Sequence, residues 1–136
     1  AHNDELEPED LVRPGHLNPE YMRYELHRVW VVEATLKDGT RHINSRRTFY
    51  LDEDSYQIAL IDHYDSRGEL WRASEAHSLN FYEVPTYWTT LETHMDLQSG
   101  RYVATGLDNN DPVITFNQSL EPSDYTPQAL RTRGRR

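Results

Sequence analysis

Seven histidines, 23 acidic residues and three tryptophans carry most of the chemistry available to this chain. Of His2, His16, His27, His42, His63, His77 and His94, the last five fall in segments patterned as strands. Three imidazoles on one face of adjacent strands can ligate zinc or another metal. No pair has the i, i+4 spacing of helical ligands, so surface or singly hydrogen-bonded histidines are expected, with His27 beside Arg28 the one to watch. Paired carboxylates can hydrolyse glycosides at separations of roughly 5–9 Å. Glu25, Glu33, Glu75, Glu83 and Glu92 lie on expected strands, but with 23 acidic residues chance proximity accounts for them. Ser45, Ser55, Ser74 and Ser78 lack a nucleophile elbow. Six glycines make no phosphate loop, and the absence of cysteine excludes disulfides, thiolate catalysis and cysteine-bound zinc. The expectation is a protein that is not an enzyme and uses no cofactor or metal.

Two further groups suggest binding. Trp30, Trp71 and Trp88 sit in strand phases, where aromatic rings serve as core or as the wall of an apolar cavity. Both roles put the rings on the concave face of a curved sheet. Arg46 and Arg47 lie near Tyr50, with Arg23 and Arg28 expected one strand away. Cross-strand pairing with Glu25 or Glu33 is the plain outcome; a headgroup contact at a cavity mouth is the alternative.

The elements that must position these groups are mostly strands. The 136 residues suit one domain. Hydrophobic residues are only 36%, yet aromatics reach 11%, which disordered chains do not. A folded domain with a thin core follows, and no apolar run approaches the roughly 20 residues of a membrane helix. Residues 1–22 read as an irregular lead-in with one helical turn capped by Asn18 before Pro19. Residues 23–119 read as a curved antiparallel sheet. Alternation from Tyr24 to Leu36 predicts a long first strand, and Asp38-Gly39 a hairpin turn into residues 41–51. Further strands are expected at 56–65, 69–83, 86–98, 101–107 and 113–117, Pro85 interrupting the third of these five from its predecessor. Residues 120–136 read as a short helix, opened by Thr126 and Pro127, and a basic tail. The fold class is mainly β: a long-stranded meander with one or two short helices. Strands this long twist, so the sheet must curl into an incomplete barrel whose concave side needs a cover from outside this chain.

The net charge of -9 repels phosphate backbones, so nucleic acid is no partner. The ends differ: Asp4, Glu5, Glu7, Glu9 and Asp10 open the chain, and Arg131, Arg133, Arg135 and Arg136 close it. Two solvated tails are expected, the sharper alternative being a basic tail that docks on an acidic partner or anionic lipid. The chain starts without methionine or a leader, as a processed piece of a longer protein would.

Several runs carry a resemblance. They are 14–19 (PGHLNP), 24–34 (YELHRVWVVEA), 47–54 (RTFYLDED), 70–72 (LWR), 96–102 (DLQSGRY) and the ending Tyr125-Thr126-Pro127, whose tyrosine departs from the family's phenylalanine. From about Arg13 onward the chain resembles a family of uncharacterised bacterial proteins, similar to outer-membrane lipoprotein-sorting proteins and several times longer. The resemblance implies the C-terminal portion of a protein exported to the Gram-negative periplasm, with outer-membrane association an open option. It implies an incomplete barrel lidded by helices, and carriage of a lipid, acyl chain or other apolar molecule, in the company of a membrane transporter and the rest of the parent chain. Strand phase and this expectation together nominate Leu26, Trp30, Val32, Tyr50, Leu60, Trp71, Trp88, Leu91 and Met95 as ligand-binding residues. The competing expectation is a structural module whose sheet docks its own chain or a partner protein.

Overall fold

A computed structural model describes residues 5–112, 114–116 and 119–134. The chain runs through helix α1 (Pro8–Leu11), strands β1 (Val12–Arg13), β2 (His16–Leu17), β3 (Val29–Thr35), β4 (Arg46–Asp52), β5 (Ile58–Tyr64), β6 (Leu70–Phe81), β7 (Thr86–Asp96) and β8 (Tyr102–Thr105), then a 3-10 turn (Pro122–Tyr125) and helix α2 (Pro127–Arg133). β1 and β2 form a small antiparallel pair, and β3 to β8 form one sheet in sequence order, every neighbour antiparallel. β3 and β8 are the two edges, so the sheet is open. The expected mainly β meander with two short helices is what forms.

Its strands are shorter than the alternation suggests, for local reasons. Pairing of β3 begins at Val29 rather than Arg23. The residues before it bond sideways: Arg23 pairs with Glu25 at 2.8 Å, and His27 Nδ1 lies 3.1 Å from Asp52 Oδ2. Tyr24 leaves the strand line to donate its hydroxyl to Glu75 of β6 at 3.3 Å. Asp38-Gly39 does turn, with Gly39 at φ +77 and Thr40 N–H donating to the Lys37 carbonyl at 3.1 Å. Pairing nevertheless stops at Thr35 opposite Arg46, so residues 36–45 form a wide loop, not a tight hairpin. The expected strand at 113–117 is not formed at 114–116, while 113 and 117 lie outside the described residues. There Phe116 instead packs its ring 4.9 Å from Phe81.

Three register shifts interrupt the ladders, between Tyr50 and Leu51, between His63 and Tyr64, and between His77 and Ser78. Bulges re-aim side chains and increase twist. The third one breaks the simple alternation of a regular strand over 86–98: Leu91 stands opposite His77, but Thr89 stands opposite Ser78, so Tyr87 and Thr89 face away from Leu91, Thr93 and Met95.

At the N-terminal end, the Asn18-Pro19 device makes a turn rather than a capped helix. Asn18 Oδ1 accepts from Glu20 N–H at 3.2 Å, and the Tyr21 amide returns to the Asn18 carbonyl. The helix lies earlier, where Glu7 and Asp10 cap each other's backbone around Pro8. At the other end Thr126 caps α2 as expected, accepting from Ala129 N–H at 3.2 Å. The core is thin: Leu11, Leu17 and Leu91 are the buried hydrophobic residues among those described.

Candidate functional site

Register divides the sheet into two faces of different character. On the first, Val31, Tyr50, Leu60, Glu75, Thr93 and Ala104 form one row across all six strands. The N-terminal segment straps the β6–β8 end of this face. His16, Leu17, Pro19, Met22 and Tyr24 meet Glu75, Thr93, Met95 and Tyr102 around a small space of about 90 Å³. Tyr102 fixes the strap by donating its hydroxyl toward the carbonyls of Arg13, at 2.9 Å, and His16, at 3.0 Å. The His77 imidazole, 3.5 Å from Glu75, and the Tyr24 hydroxyl hold the Glu75 carboxyl below its usual range.

The second face is uncovered. Trp30, Leu51 and Ile58 form one row, and Val32, Phe49 and Ile61 the next. These six residues make a contiguous apolar block over three strands, at an edge where Trp30 is 57% and Val32 is 47% exposed. Beside the block the rows turn polar: Ala34, Arg47, His63, Arg72 and Asp96 follow one another across β3 to β7.

A hydrogen-bonded relay centred on the buried Ser74 crosses that polar region. Asn44 Nδ2 lies 3.2 Å from His63 Nδ1, His63 Nε2 lies 3.1 Å from Ser74 Oγ, and Ser74 Oγ lies 2.8 Å from His94 Nδ1. The amide donating to His63 Nδ1 makes Nε2–H the donor to Ser74, which in turn donates to His94. Ser74 is only 6% exposed, so its hydroxyl closes a structural network and does not meet a substrate. Burial, then the charges of Arg47, His94 and Arg72, push the His63 pKa below its ordinary 6.5. A lowered folded-state value means that the unfolded chain binds the proton more readily. His63 therefore contributes stability that is complete above pH 6.5 and is lost as pH falls through the folded value. The denaturation midpoint of the wild type is expected to drop between pH 7.5 and 5, and His63→Gln to flatten that slope. Parallel slopes in the two proteins would remove His63 from the account.

Other sequence candidates resolve as follows. His27 is held between Asp52, at 3.1 Å, and Glu25, at 3.6 Å. The Asp52 carboxyl is held below the usual range, chiefly by the Ser55 backbone N–H. Among the described residues no group of three or more histidines and carboxylates is placed to hold a metal ion. Of the basic spot, Arg46 pairs across strands with Glu33 at 2.9 Å, Arg23 pairs with Glu25, and Arg28 pairs with Glu53 at 3.4 Å. Arg47 forms no ion pair among the described residues; its guanidinium lies 5.4 Å from the Phe49 ring.

The nine nominated ligand residues do not share one wall. Leu26 lies outside any strand with its side chain in solvent. Trp30 and Val32 belong to the open face, whereas Tyr50, Leu60, Trp88, Leu91 and Met95 belong to the strapped one. Leu91 is 1% exposed and is core. Trp71 sits at the β5–β6 bulge, donating Nε1–H to Asp96 at 3.1 Å beneath the Arg72 guanidinium. The three tryptophans therefore do not line a common concave face. Sequence reasoning missed Leu51, Phe49, Ile58 and Ile61 as partners of Trp30, because only register aligns them.

Known proteins place this arrangement. An uncharacterized protein of Pseudomonas aeruginosa is 53% identical over 126 residues, covering 92% of this chain but 28% of that protein. The chain thus spans well under a third of that relative. Among solved structures, a domain described as that of an outer membrane lipoprotein-sorting protein from Vibrio parahaemolyticus superposes with a TM-score of 0.52 at 16% identity, over 77% of this chain and 43% of that one. A family protein from Desulfovibrio piger gives 0.50 at 15% identity, over 75% and 40%. At such identities the likeness is one of fold: an open antiparallel sheet. Residues 1–131 match the model of proteins of unknown function called DUF1329, and the chain belongs to that family.

Proposed function

We propose that this chain is the C-terminal part of an envelope protein that binds and carries an apolar ligand, a lipid or acyl chain, in the periplasm, without catalysing a reaction. The observation that carries this reading is the uncovered block of Trp30, Val32, Phe49, Leu51, Ile58 and Ile61. A large exposed apolar patch marks a surface that something covers. Laid there, an acyl chain gains roughly 0.8 kcal/mol per methylene buried, before the cost of association. The fold of the lipoprotein-sorting neighbour supports the same assignment, and a membrane transporter is the natural giver or taker of such a cargo.

The test is native mass spectrometry of the full-length protein, purified gently from its host and then exposed to a fluorescent acyl probe. A retained adduct of lipid mass, displaced by the probe, is expected. A clean mass together with no probe binding would overturn the carrier reading.

One observation favours a second reading, a docking module. β3 is an edge strand, VWVVEAT, without proline, lysine or bulge to discourage pairing. In that case the covering partner is protein, most simply the rest of the parent chain. Such a module stays blind to lipid in the same experiment.

A further inference from the structure

We propose that the space beneath the β3–β4 loop is an oxyanion site, built for a phosphoryl group with a hydroxyl beside it. The cavity there is about 260 Å³. Its wall brings together Arg41, His42, Arg46 and Arg47, and contains no carboxylate, in a chain whose net charge is -9. Glu33 neutralises Arg46 alone, and the Arg46 guanidinium is also stacked 3.6 Å from the Tyr64 ring. Arg41 and Arg47 keep their charge without an acidic partner among the described residues, so the residues of the cavity wall carry an excess of positive charge. Guanidinium forks match phosphoryl oxygens in geometry and charge.

The polar atoms narrow the ligand further. His42 Nδ1 accepts the Asn44 backbone N–H at 3.0 Å, which leaves Nε2–H as a donor. Asn44 is 9% exposed, and its side-chain Oδ1 is buried without a hydrogen-bond partner. A buried acceptor calls for a donor. A bare oxyanion such as sulfate supplies none, whereas inorganic phosphate carries an O–H, and a phosphatidylglycerol headgroup carries hydroxyls beside its phosphodiester. The cavity falls short of the roughly 300–1,000 Å³ of common small-molecule sites, so it suits a headgroup and not an acyl chain. Arg47 also stands in the row next to Phe49, so the site adjoins the apolar block. The lipid source of the ligand rests on the carrier reading; the oxyanion site itself does not.

Calorimetry of the full-length protein with inorganic phosphate and with sulfate tests the site. Flotation with phosphatidylcholine vesicles, with and without phosphatidylglycerol, separates the sources. Phosphate is expected to bind more tightly than sulfate, and Arg41→Ser with Arg47→Ser to weaken it by about tenfold or more per guanidinium removed. Arg41 is exposed, so Arg41→Ser alone is a variant that keeps the fold. Vesicle capture that needs phosphatidylglycerol and is competed by phosphate names the headgroup. Phosphate binding without vesicle capture names free phosphate. Binding of neither probe, or binding indifferent to both substitutions, overturns the site. A neutral acyl probe should bind Arg41→Ser, which lies away from the apolar block, as it binds wild type, so loss of the oxyanion site and loss of acyl carriage are read separately.

Discussion

Gly106→Ala is expected to destabilise the protein by about 3 kcal/mol or more, far beyond the usual cost of a glycine-to-alanine change. Gly106 follows β8 at φ +78, and a Cβ there would stand 1.8 Å from the Thr90 carbonyl oxygen and 2.9 Å from its carbon. Thr90 is the residue that the β6–β7 register shift leaves without an opposite number, and its hydroxyl bonds back to the His77 carbonyl at 3.2 Å. The bulge pushes backbone outward just where the chain leaving β8 must pass, and only a residue without a side chain fits. Gly68 is the internal control. It has nearly the same φ, +82, but nothing within 4 Å of a Cβ. Gly68→Ala should therefore cost only the conformational penalty, roughly 1–2 kcal/mol. Urea denaturation of both variants separates the two contributions as a difference in midpoint at constant slope. Equal losses would mean that the contact with Thr90 is not what fixes glycine at 106.

That bulge also marks the limit of what alternation reveals. The antiparallel order β3 to β8 was legible because turn residues and period-2 runs are local signals: Asp38-Gly39, Ser66-Arg67-Gly68 and Ser99-Gly100 all turn the chain. Thr126 before Pro127 was legible for the same reason, a cap being a short-range hydrogen bond. Which face a side chain occupies is a long-range property. An extra residue at Thr90 moves Tyr87 and Thr89 to the other side while the sequence pattern runs on unbroken. The same cause split the nominated binding residues, since Trp30 follows the phase of Leu51 whereas Tyr50 follows that of Val31. Leu26 failed differently: the lead-in to β3 is rich in charge and bonds sideways, so its alternation never becomes a ladder. The helix at Pro8–Leu11 had an audible signal in Glu7-Pro8 and Asp10, masked by an acidic composition that reads as a solvated tail. The cavity under residues 36–45 depended on a loop width that Asp38-Gly39, as a tight-turn signal, argued against.

Trp30→Asp combined with Val32→Asp is expected to lower the affinity of the full-length protein for an acyl probe by about 100-fold, with little loss of stability. Both side chains are about half exposed on an edge strand, so an aspartate at either position meets water in the free protein. In the complex it either surrenders that water or holds the ligand away from its neighbours, Leu51 and Phe49. Each large side chain removed from an apolar contact costs roughly 1.5–3 kcal/mol, and for side chains half exposed at an edge two losses at the low end of that range give a factor on the order of 100. Leu91→Asp makes no useful comparison, because at 1% exposure it places a charge in the core and tests folding. Val103→Asp does: Val103 is 53% exposed on β8, opposite His94 and on the same face, with three strands of the sheet between it and Phe49. It should bind the probe as wild type does. Titration of the three proteins by fluorescence, with denaturation curves alongside, decides the matter. Full affinity in the double variant would take the ligand off this face, and the bare edge of β3 would then be read as a seat for protein.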